Sequence, residues 1–207
     1  MNPPGRPKGE CRSAQHEGAP VNAALRVADG RCKRDWRERP YRETLALREG
    51  HVVTLRPAHR SDKSALQGFF ATLSPRSRLL RFHGTVSQLP DAVLRAFTTQ
   101  VSRQHVALVA MAATHDGPPR LVAEARYVAD ATAPGHAEFA LTVADGWQGL
   151  GLGRALLRRL ATHAASEGLE VLDGSVMAGN EPMLGLLRGL GAGFHSEGSE
   201  VHAALAL

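Results

Sequence analysis

Only two cysteines, Cys11 and Cys32, occur in the 207 residues. They are too few for a disulfide framework and their separation fits no zinc pattern, so free thiols and a cytosolic setting are expected. The ten histidines are scattered without metal-ligand spacing, and no metal is expected. Long apolar runs are missing as well. Nothing approaches the roughly 18–20 residues that cross a bilayer, and the first thirty residues lack the apolar stretch of a secretory signal, so no membrane partner is expected.

Hydrophobic residues make up 43% and charged residues 22% of the chain, the composition of an ordinary globular protein of one domain with a tail. The net charge of +5 hints at nucleic acid until it is mapped. Residues 1–50 hold 11 Lys/Arg against 7 Asp/Glu, whereas residues 51–207 hold 14 against 13. The basicity therefore belongs to the N-terminal part, and the rest has no phosphate-tracking excess, which argues against nucleic acid as a partner. Residues 1–48, rich in Pro, Gly, Arg and Ala, read as a disordered or loosely docked basic extension, with at most a short helix from Tyr41 to Arg48. Residues 49–207 read as the folded domain.

Within it, strand and helix patterns alternate. His51 to Arg56 is strand-like, and three short helices follow, starting near Asp62, at Ser74-Pro75 and at Pro90-Asp91. Val106 to Ala112 and Leu121 to Val128 form a hairpin pattern about the turn His115-Asp116-Gly117-Pro118-Pro119. Ala137 to Val143 is the next strand. An amphipathic helix then carries Leu152, Leu156, Leu160 and Ala164 on one face, with Gly168 as its stop. Leu169 to Met177, Pro182 to Leu190 and Val201 to Leu207 complete a strand, helix and strand. The fold class is α/β, with a mixed, largely antiparallel sheet of six to seven strands and four to five helices.

Between Val143 and the amphipathic helix lies Gln148-Gly149-Leu150-Gly151-Leu152-Gly153. Three alternating glycines let the backbone approach a ligand, and the helix that follows offers unpaired N–H groups and the positive end of its dipole. Such a turn binds anions, phosphate above all, and Arg154 adds a cation that could reach a second phosphate. A dinucleotide fingerprint needs a third glycine where Arg154 stands, and a Walker A loop needs Gly-Lys-Ser/Thr where the chain has Gly153-Arg154-Ala155. Both are excluded.

The Gln148–Gly153 turn after the strand Ala137 to Val143 resembles the Q/R-x-x-G-x-G/A signature of the GCN5-related N-acetyltransferases (GNAT), over about residues 51–194. Asn180-Glu181-Pro182-Met183 is similar to the family's later N-x-x-M segment, and Gly191-Ala192-Gly193-Phe194 departs from its usual Leu-Gly-Phe. Upstream, Leu55-Arg56-Pro57, Leu73-Ser74-Pro75-Arg76-Ser77, Leu80-Arg81-Phe82 and Ala107-Leu108-Val109-Ala110 resemble the acetyltransferase module of bacterial protein-lysine acetyltransferases. The resemblance implies a GNAT fold that binds acetyl-CoA as acetyl donor. It implies pyrophosphate held by Gln148, Gly149, Leu150, Gly151, Leu152, Gly153 and Arg154, and pantetheine along Leu141, Thr142 and Val143, where a backbone N–H polarises the thioester. It also implies a cofactor contact from Asn180, a residue that reads equally well as an N-cap.

Acetyl transfer to an amine needs a deprotonated nitrogen, and a lysine amine is almost wholly protonated at neutral pH. Alternation sends Glu138, Ala140 and Thr142 to one face of their strand, and Glu138 matches the glutamate that serves as general base in the protein-lysine enzymes. Burial would raise its basicity; Glu124 is the fallback, and pairing with an arginine is the structural alternative. Many family members have a tyrosine where this chain has Leu187, so the group protonating the leaving sulfur is open, with His105, His136 and His195 nearest to strand ends. The expected function is direct acetyl transfer in a ternary complex to an acceptor amine, a protein lysine in the leading reading and a small-molecule amine in the alternative. A non-catalytic acyl-CoA sensor is the third possibility.

Overall fold

The computed structural model describes residues 41–84, 88–98 and 104–207. The basic extension up to residue 40, and the expectation of disorder placed on it, lie outside the described residues. Eight strands form one sheet in the order β1-β2-β3-β4-β5-β6-β8-β7. They are β1 Glu43–Ala46, β2 Val52–Pro57, β3 His105–Ala112, β4 Arg120–Ala129, β5 His136–Val143, β6 Val171–Met177, β7 Gly193–Glu197 and β8 Glu200–Ala206. The helices are α1 Lys63–Thr72, α2 Pro75–Phe82, α3 Asp91–Thr98, α4 Leu152–Ser166 and α5 Glu181–Arg188.

Two strands exceed the sequence expectation. β1 replaces the expected helix and pairs with β2 from Glu43↔Leu55 to Ala46↔Val52, so the folded part starts upstream of residue 49. Arg159 of α4 clamps it through Glu43 at 2.5 Å. β7 is an exposed edge strand that follows the sharp turn at Gly191, whose φ is +84°. α5 ends at Arg188, before that glycine, and Asn180 caps its start by accepting from the Met183 N–H.

Each sheet face has its own core. On the back, Leu152, Leu156, Leu157, Leu160 and Leu187 are fully buried against Leu172, Phe139 and Leu205. The front of β3 and β4 packs Ala107, Val109 and Leu121 against Leu66, Phe69, Phe70 and Phe97 of α1 and α3. Among the described residues no helix covers the front of β6, β8 and β7, where Ser175, His195, His202 and Ala204 are exposed.

β5 lies at the junction of these halves. It pairs with antiparallel β4 from Ala123↔Val143 to Ala129↔Ala137, but with parallel β6 only from His136↔Val171 to Glu138↔Asp173. Beyond Glu138 the two strands part, leaving a cleft in the sheet. On the back, Phe139 wedges over Gly174, where an added Cβ would meet the ring's Cε1 at 2.5 Å. Gly174→Ala should therefore lower stability by about 1–3 kcal/mol, through overpacking, in denaturant unfolding. Phe139→Leu in the same chain should recover part of that loss.

Candidate active site

The glycine turn opens where the sheet splits. β5 ends at Val143, a 3-10 turn spans Asp145–Trp147, and Gly149 and Gly151 follow at φ +76° and +91°. These left-handed angles are open to glycine at no steric cost, and at both positions a Cβ would point into open space. Gly151 is the N-cap of α4 and no side chain caps the helix. The first turn of α4 therefore keeps its N–H donors for a ligand, as an anion cradle requires.

The third glycine has a different task. A Cβ on Gly153 would crowd Leu186 at 3.2 Å and Leu141 at 3.4 Å, so its bareness lets α4 pack on β5 and α5. Leu150 and Leu152 turn their side chains into the core and leave only backbone to the cleft. Gln148 donates to the Val143 carbonyl at 3.1 Å and lies 3.4 Å from the Ser77 hydroxyl. Arg154 points its guanidinium at the Gly189 carbonyl at 3.1 Å, capping α5. Asn180 is the α5 N-cap, the bland alternative for that residue. Trp147 packs beneath the turn against His51, with ring centroids 5.1 Å apart.

Several braces of the turn escape sequence reading. Asp145 accepts from the Ser74 N–H at 2.9 Å, the Ser74 hydroxyl at 2.8 Å and the Ser77 hydroxyl at 2.6 Å, tying the start of α2 to the end of β5. Burial works against ionisation there, but the Ser77 and Ser74 hydrogen bonds outweigh it and hold the Asp145 carboxyl below the usual carboxylate range. The Arg48 N–H donates to the Leu150 carbonyl at 3.3 Å. The signal in the sequence was weak, because these partners lie about 70 to 100 residues apart.

On the front of β5, Thr142 is buried and Glu138 is exposed at the point where β6 departs, while Leu141 is buried in the back core. The Glu138 side chain shares the front with Arg126, whose guanidinium is disfavoured by burial and favoured by the charges of Glu124 and Glu138. Glu124, the fallback base, is wholly buried between Arg126 at 3.4 Å and Arg81 at 3.6 Å. It is an ion-pair residue beneath α2 and α3, closed to an acceptor. Arg126 also stacks over Phe97 at 3.5 Å.

Leu187 is fully buried in the back core, so no proton donor stands at that position. His136 bonds Asp173 at 2.6 Å beside Glu138. Desolvation by burial, with Arg126 nearby, pushes the His105 imidazole below its ordinary range. From Asp173 outward a shallow depression of about 480 Å³ runs over the front of β6, β8 and β7, lined by Gly193, His195, His202 and Ala204. Among the described residues no cluster of His, Cys, Asp or Glu is arranged for a metal ion, and no helix is long and apolar enough to cross a membrane.

A sheet that splits beside an uncapped, glycine-lined helix start is the architecture of a coenzyme A-dependent acyltransferase. The sequence profile of the acetyltransferase (GNAT) family matches residues 78–192, and the chain belongs to that family. It is 34% identical over 146 residues to the acetyltransferase PA5475 of Pseudomonas aeruginosa, a match that covers 70% of this chain and 77% of that protein. The crystal structure of the GNAT domain of S. lividans PAT superimposes with a TM-score of 0.72 at 27% identity, over 80% of this chain and 97% of that one. A Salmonella typhimurium protein, yncA, solved with acetyl-CoA, shares the fold at TM-score 0.58 and 19% identity, over 75% and 92% of the two chains. The protein is a GNAT acetyltransferase, of a family that uses acetyl-CoA as donor.

Proposed function

We propose that this enzyme acetylates lysine side chains of proteins, with Glu138 as general base. The observation that carries this reading is the exposure of Glu138 at the mouth of the β5–β6 cleft, on a front that continues as an open depression. A small amine calls for a closed pocket, whereas a surface as open as this front is among the described residues suits a lysine presented by a polypeptide. The resemblance of Leu55-Arg56-Pro57, Leu73 to Ser77 and Leu80-Arg81-Phe82 to the protein-lysine acetyltransferase module supports the same substrate class. A cytosolic location goes with it, since both cysteines would then remain thiols.

In this scheme backbone N–H groups from Gly149 to Gly153 hold the coenzyme diphosphate at the start of α4, with Gln148 bracing the strand end. The unpaired edge of β5 from Leu141 to Val143 receives the pantetheine arm as an added strand, and one of its N–H groups polarises the thioester carbonyl. Acetyl-CoA supplies the activated acetyl group. Glu138 takes a proton from the lysine ammonium, and the freed amine attacks. Arg154 and Asn180 join the coenzyme site only by leaving their helix-capping bonds, so their side chains are the weakest members of the expected set.

The test is incubation with deuterated acetyl-CoA and bacterial lysate proteins, alongside a panel of polyamines and amino sugars, read by mass spectrometry. Label on protein lysine is the expected result. Label confined to the small amines would replace the protein reading by the small-amine one.

A further inference from the structure

We propose that His136 and Asp173 form the proton exit of the transfer site: His136, oriented by Asp173, accepts from Glu138 the proton that each turnover releases and passes it to bulk water. The relay rests on Glu138 being the base. Its necessity follows from proton balance. An alkylammonium acceptor loses two N–H protons on becoming an amide; one ends on the coenzyme thiol as the C–S bond breaks, and the other must reach solvent. Glu138 is open to water in the free enzyme, but a docked polypeptide covers it, and the proton then needs a side route.

The residues for that route meet at the split in the sheet. His136 and Glu138 are two positions apart on β5 and share its front face, while Asp173 is the register partner of Glu138 on β6. The His136 Nδ1 lies 2.6 Å from the Asp173 Oδ2, a pairing in which the ring donates from Nδ1 to the carboxylate and Nε2 is the edge through which a proton would enter and leave. Two backbone bonds fix the ring's origin: the His136 N–H donates to the Ala133 carbonyl at 3.0 Å, and its carbonyl accepts from Asp130 at 2.9 Å. Its side chain is 42% exposed, which gives the outer edge access to water.

The charged groups around it are mostly acidic. Glu138 is on its own strand and Asp173 is on β6. Asp130, after β4, is within electrostatic reach of the ring, and Glu170, before β6, lies against the adjacent Gly135. All four are carboxylates, and Arg126 stands beyond Glu138. Asp173 acts through His136 and is a positioning residue.

The experiment compares the full chain with its His136→Gln, Asp173→Asn and Glu138→Gln variants. It follows deuterated acetyl transfer to lysate proteins and to the amine panel from about pH 6 to 9, with acetyl-CoA affinity measured in parallel. His136→Gln should lower kcat about tenfold near neutrality, less than the ~100-fold floor for loss of a direct base. The deficit should shrink as pH rises and should be relieved by added imidazole, while acetyl-CoA affinity is unchanged. Asp173→Asn should give the same pH-dependent deficit in weaker form. A His136→Gln enzyme with the parental pH profile, or with a loss equal at every pH that imidazole does not relieve, overturns the relay but leaves Glu138 as base. Full activity in Glu138→Gln removes the base assignment and the relay together, as does the absence of transfer to any acceptor.

Discussion

Glu138→Gln is expected to lower kcat for acetyl transfer by about 10²–10⁴-fold, the range that a positioned general base supplies. Acetyl-CoA should still bind, because Glu138 is on the front of β5, ahead of the segment from Leu141 to Val143 and the turn from Gly149 to Gly153. The substitution keeps the shape of the side chain and removes its ability to accept the amine's proton. The variant's residual rate should climb with pH, since only the fraction of acceptor already deprotonated in solution can react. Steady-state kinetics at several pH values, with calorimetry for acetyl-CoA, measure both parts. A parental rate at all pH values would reassign the base, and Glu124 could not take over, being fully buried beneath two arginines.

That burial sets the second large effect. Glu124→Leu should destabilise the fold by about 3–5 kcal/mol, because it removes one partner from a buried ion cluster and leaves Arg81 and Arg126 uncompensated. For a domain of this size the melting temperature should fall by roughly 6–20 °C. Arg81 belongs to α2 and Arg126 to β4, with Phe97 of α3 stacked on the latter, so the cluster holds both helices over the front of the sheet. Adding Arg126→Met to the same chain should recover part of the loss, since an apolar group then replaces the orphaned charge. A single substitution without thermal effect would mean that water already reaches Glu124.

The turn and most elements were legible because their signals are local. Gly149 and Gly151 sit at left-handed angles where a strand pattern gives way to a four-residue leucine period, and the ends of α4 fall within two residues of that pattern. The β3–β4 hairpin followed from two strand-like apolar runs about one Pro/Gly turn. What stayed hidden depends on partners distant in the chain. β1 is a strand because β2 offers it a ladder and Arg159 a counter-charge, neither of which shows in Glu43 to Ala46 themselves. β7 carries no buried residue and so no alternation to read. The roles of Gly153, Gly174 and Arg154 are packing and capping roles set by Leu186, Phe139 and Gly189, which only the folded chain brings near. Asn180 illustrates the limit of motif reading, since a cap and a ligand contact call for the same residue type.

The central claim is that backbone donors at the start of α4 hold coenzyme A beside the parted strands. Titration calorimetry of the protein and of its Gly151→Val variant with acetyl-CoA tests it most directly. A single saturable site in the parent, lost or weakened at least about tenfold in a variant that still melts cooperatively, is the predicted result, because valine disfavours the left-handed angle that aims those N–H groups. Absence of binding by the parent, or undiminished binding by the folded variant, would contradict it.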